Sequence, residues 1–88
     1  MTNDPAFLNI SSKEISDMLK EKSLVGPLEK LEIEKFSLPW AYGGRRCNAT
    51  AKNIAREQGY DLIHCEGSSQ FYRFPEMVIA TYSFYKRA

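Results

Sequence analysis

Apolar residues near the start of the chain recur at helical spacing. Ile15, Met18 and Leu19 fall three and four residues apart, on one face of a helix. Ser11 precedes this run and Glu14 follows it by three residues, the capping-box pattern. Ile10 and Ile15 flank the cap as a hydrophobic staple. Lys20 and Lys22 suit the negative end of the helix dipole, and Gly26-Pro27 is expected to stop the element. The pattern predicts a helix over about residues 12–23.

The period then shortens to two. Leu31 and Ile33 alternate with Glu32 and Glu34, as in a half-buried strand. Phe36, Leu38, Trp40 and Tyr42 share the opposite parity, which predicts a bulge or a twist near Glu34-Lys35. Pro39 has no N–H to donate, so this end is expected to be an edge or a strand terminus, and an edge is open to pairing with another chain unless covered. Gly43-Gly44 reads as its closing turn. A second helix follows, with Asn48 as N-cap and its end near Gln58. Cys47, Ala51, Ile54 and Ala55 form its apolar face, and Gly59 fits the left-handed C′ position. Tyr60 to Glu66 alternates as a strand, Gly67-Ser68-Ser69 reads as a turn, and Gln70 to Phe74 as a returning hairpin arm. MVIATYSFY, rich in β-branched and aromatic residues, is expected to be the last strand, with a helix opened by Pro75 as the alternative.

The sum is a single α+β domain over residues 1–88, its first six residues frayed, in the order α-β-α-β-β-β. The sheet is mixed and mostly antiparallel, with one or two helices packed on one face. The central strand–helix–strand step predicts a parallel neighbour pair joined by a right-handed crossover.

Composition narrows the function classes. The formal net charge of +1 gives no general nucleic-acid footprint and no reason to expect a membrane surface as partner. No apolar run approaches the ~20 residues that span a bilayer, and the N-terminal residues lack the pattern of a secretory signal. A cytoplasmic protein with Cys47 and Cys65 as reduced thiols is therefore expected.

Candidate chemistry is sparse. Gly43, Gly44, Arg45 and Arg46 lead into a helix N-terminus, where backbone N–H groups and arginines suit a phosphate of a nucleotide or nucleic acid. The plainer explanation is a turn with solvated arginines. Cys47, beside two arginines at a helix start, is expected to have a depressed pKa, with His64 as its base; the plainer explanation is a buried structural cysteine. Cys47, His64 and Cys65 do not make a metal site, because adjacent strand residues face opposite ways. No metal and no cofactor is expected. The aromatic residues give the strongest hint: Trp40, Tyr42, Tyr82 and Phe84 are candidate anchors on a sheet face or edge. The pattern is read as a non-catalytic interaction module whose partner is another protein or a second copy of itself. Nucleotide or nucleic-acid binding at Gly43–Arg46 is the alternative, and a thiol enzyme using Cys47 the second alternative. In size and element order the outline is similar to some phage-encoded inhibitors of bacterial defence, a likeness of outline that implies an accessory or inhibitory role.

Overall fold

The computed structural model describes residues 4–36, 43–71 and 77–88, with only the backbone for residues 36, 43, 44, 70 and 71. The elements are β1 (Ala6–Phe7), α1 (Ser12–Lys20), β2 (Leu24–Phe36), α2 (Gly43–Gln58), β3 (Leu62–Phe71) and β4 (Met77–Arg87). They form an α+β fold with one open, mixed sheet in the order β1-β3-β4-β2. β1 runs parallel to β3, whereas β3–β4 and β4–β2 are antiparallel. No helix among the described residues is long and apolar enough to cross a membrane.

The first helix starts where its cap residues place it. The Ser11 hydroxyl accepts the Glu14 N–H at 3.2 Å. Its end differs from the expected Gly26-Pro27 stop. Lys22 takes a left-handed backbone, φ 61°, and the Ser23 and Lys22 N–H groups return to the carbonyls of Met18 and Leu19. This is a Schellman ending with lysine where glycine is usual. Gly26 and Pro27 instead lie inside β2, where the register with β4 shifts between Val25 and Glu29. The bulge is therefore here and not at Glu34-Lys35, which pair regularly with Ile79 and Val78. Gly26 is required by geometry: at φ 142°, an added Cβ would stand 2.9 Å from both the Leu28 nitrogen and Tyr85 Cδ1.

The second helix begins earlier than expected. Gly43 to Arg46 form its first turn, and Asn48 lies within it, not at its cap. Gly59, φ 75°, sits at C′ as expected, and the Tyr60 N–H returns to the Ala55 carbonyl at 2.8 Å. Gly67-Ser68-Ser69 is no turn. β3 passes straight through it, absorbing the irregularity as a bulge between Cys65 and Gly67, so Gln70 and Phe71 continue β3. The remainder of the expected arm lies outside the described residues. β2 and β3, the strands flanking α2, do run the same way, but β4 lies between them. The parallel neighbours are β1 and β3. Residues 4–6 are held more firmly than expected: Pro5 is buried, the Ala6 N–H donates to the Asp61 carbonyl, and Asp4 meets Arg56 at 3.1 Å.

Strand alternation divides the apolar residues between two cores. Ile33, Ile63, Val78, Ala80, Tyr82 and Phe84 face α2, whose Cys47, Ala51 and Ala55 are fully buried against them. These small side chains let the helix lie close to the sheet. The opposite face meets α1, where Ile15, Leu24, Leu62 and Tyr85 form a second, smaller core.

Candidate functional site

β2 forms one edge of the sheet, and among the described residues its outer flank pairs with nothing. Alternation gives its two faces different chemistry. Glu29, Leu31, Ile33 and Lys35 stand opposite Phe84, Tyr82, Ala80 and Val78 on the α2 side. Lys30, Glu32 and Glu34 stand opposite Ser83, Thr81 and Ile79 on the other side. Next to the bulge, Val25 and Leu28 are 48% and 40% exposed, large apolar side chains left in solvent.

Two polar clamps fix this strand to the body of the fold. On the α2 side, the Tyr60 hydroxyl donates to Glu29 Oε2 at 2.9 Å, and the Tyr60 ring rests 5.2 Å from that of Phe84. On the opposite side, Glu66 links three strands. Its Oε1 accepts from buried Ser83 Oγ at 2.6 Å, and its Oε2 meets Lys30 Nζ at 2.9 Å. The Ser83 hydroxyl and then Lys30 hold the Glu66 carboxyl below the usual carboxylate range. Nearby, His64 is buried with Nε2 3.2 Å from the Ile10 carbonyl. A carbonyl only accepts, so Nε2 carries the proton of this bond. Beyond α1, Glu32, Gly67, Ser69, Ile79 and Thr81 border an open, mostly polar depression.

A second recess, of about 250 Å³, lies at the other edge, between β1, the outer part of β3 and α2. Phe7, Asn48, Cys65 and Tyr82 are among its walls. The Tyr82 hydroxyl donates to Asn48 Oδ1 and so ties β4 to α2.

The residues singled out in the sequence are dispersed. Trp40 and Tyr42 lie outside the described residues. Tyr82 and Phe84 are 1% and 0% exposed, so their rings are core and not surface anchors. Their parity, shared with Val78 and Ala80, places them beneath α2, and burial drives the Tyr82 phenol pKa well up. Gly43–Arg46 remains a helix N-terminus, with exposed Arg45 and Arg46 side chains in the first turn itself.

Cys47 is wholly buried, and its thiol points at the Ile33 and Val78 carbonyls, 3.6 and 3.8 Å away. Burial pushes its pKa up, opposite to the depression expected from neighbouring arginines. His64 faces the other side of the sheet and cannot serve as its base. Cys65 is exposed on the α2 side, so His64 and Cys65 diverge as strand alternation requires. Among the described residues, no group of three or more His, Cys, Asp or Glu side chains is placed to hold a metal ion.

Sequence reading missed the Val25–Leu28 edge and the Lys30–Glu66–Ser83 link. A glycine-proline pair ahead of alternating residues was the available signal for the first, since glycine and proline inside a strand mark bulges and edges. The second joins side chains of β2, β3 and β4 that meet only through the pairing of the three strands, which local spacing does not encode. Comparison with protein-family models, curated proteins and solved structures gives no significant match to this chain.

Proposed function

We propose that this chain is a non-catalytic protein-interaction module that docks through the free edge of its sheet. The observation that carries the reading is β2: a thirteen-residue strand with an unpaired outer flank among the described residues and exposed Val25 and Leu28 beside it. Unpaired strand edges bind extended partners by main-chain hydrogen bonds, and neighbouring side chains select among them. The two clamps at Glu29 and Lys30 hold that flank in a fixed geometry, which lowers the ordering cost of pairing. Cys47 is buried on the sheet side of α2 with its thiol pKa raised by that burial, which weighs against the thiol-enzyme alternative.

The test is photo-crosslinking in the cell that expresses the protein. A crosslinking amino acid replaces Val25 or Leu28, and in a control it replaces exposed Glu57 on α2. Protein adducts from the two edge positions and none from Glu57 are expected. No adduct from the edge, or equal labelling from Glu57, overturns the reading.

A further inference from the structure

We propose that the partner of the β2 edge is β2 of a second copy, paired antiparallel about a two-fold axis at Glu32. This deepens the edge-docking reading and rests on it.

The argument is the order of charges along the strand. In a two-fold antiparallel pair centred on one residue, positions equally far before and after the centre stand opposite each other on the same face. With Glu32 at the centre, Leu31 faces Ile33, Lys30 faces Glu34 and Glu29 faces Lys35, each occurring twice by symmetry. Every charged residue from 29 to 35 except the central one meets an opposite charge. Moving the centre to Ile33 sets Glu32 against Glu34 and leaves Lys35 facing Leu31. Moving it to Leu31 sets Lys30 against Glu32 but faces Glu29 with Ile33 and Glu34 with Leu28. Only the Glu32 centre matches charge with charge and apolar with apolar.

The structure presents these residues suitably. Residues 29–36 run in regular register with β4, so the whole window is continuous ladder beyond the bulge. Glu32 and Glu34 are exposed, and the Lys30 side chain is 59% exposed despite its contact with Glu66. On the α2 face, half-buried Leu31 would gain cover from Ile33 of the other copy, joining the two large cores across the axis. The assembly would be one eight-stranded sheet carrying both α2 helices on the same face. Its weak point is the axis, where two Glu32 carboxylates meet; like charges directly opposite are destabilising.

Light scattering over a concentration series, combined with engineered thiols, tests the proposal. The expected mass is twice 10.1 kDa. In a Cys65→Ser background, Glu32→Cys should form a disulfide dimer on mild oxidation. Lys30→Cys and Glu34→Cys should each crosslink poorly alone and efficiently when mixed. Independently of oxidation, Glu34→Lys should weaken association by about tenfold, because two Lys30–Glu34 attractions become repulsions, and Glu34→Gln should weaken it by less. Glu32→Gln should tighten the dimer severalfold. A monomer throughout the series overturns the proposal, as does a dimer in which position 32 does not crosslink or Glu34→Lys leaves association unchanged. A monomer that still gives edge adducts to a different protein in the cell removes self-pairing and leaves the edge-docking reading standing.

Discussion

Three residues carry backbone demands that side-chain chemistry does not reveal. Lys22 holds a left-handed conformation at the end of α1, where L-residues are disfavoured by roughly 1–2 kcal/mol. Lys22→Gly is therefore expected to stabilise the fold by about 1 kcal/mol after the entropic cost of glycine, read as a higher urea midpoint with unchanged slope. Gly26 and Gly59 both have positive φ but differ in surroundings. A Cβ at Gly59 meets nothing within 4 Å, whereas one at Gly26 presses on Leu28, Tyr85 and the Phe84 carbonyl. Gly59→Ala should cost about 1 kcal/mol from the backbone alone, and Gly26→Ala distinctly more, about 2–3 kcal/mol. Equal losses would show that the close approach at the β2 bulge relaxes freely. The two cysteines differ similarly. Exposed Cys65 should react with iodoacetamide in the native protein, while Cys47, buried and with its thiol pKa raised, should react only after unfolding.

Among the elements, those written in local chemistry were legible and those written in tertiary pairing were not. The Ser11 cap, the Cys47–Ala51–Ala55 face and the Gly59 stop depend on spacing within one helix, and each stands where spacing puts it. Ser11→Ala should accordingly cost about 1 kcal/mol, checked by chemical denaturation. β4 was legible too, because seven of the nine residues from Met77 to Tyr85 are apolar or aromatic and three are β-branched, which favours a strand over the helix that Pro75 could open. Gly67-Ser68-Ser69 deceived because turn-forming residues can also fill a strand when a long neighbour supplies the ladder, as β4 does. β1 was illegible: two residues show no period, and it exists only because Ala6 and Leu8 find the backbone at Asp61 and Ile63. The edge at β2 was half legible. Its alternation marked a strand, but which side of it lies open depends on where β4 inserts.

At the scale of the whole molecule, Glu66 ties three strands of the sheet together through Ser83 and Lys30. Its carboxyl is held below the usual range by Ser83 and Lys30, so the folded state favours the ionised form. That contribution is present above the pKa of the unfolded chain and is lost as pH falls through the lowered folded value. Acidification should thus reduce stability more in the natural protein than in Glu66→Gln, by up to about 1 kcal/mol given partial solvent screening. Midpoints of urea denaturation between pH 7 and about pH 3 would show it; parallel curves would remove Glu66 from the account.

The division of the apolar residues into two cores has one more consequence. Leu62 and Ile63 are neighbours in sequence yet belong to different cores, and so are Phe84 and Tyr85. The pairings Leu62–Tyr85 and Ile63–Phe84 thus fix the same alignment twice, once from each side. A slip of one residue would drive Tyr85 beneath the alanines of α2 and leave Phe84 facing α1, misfitting both at once. The sheet behaves as a party wall: neither side can be remeasured without the other, and natural variation in either core must respect a fit made by its opposite.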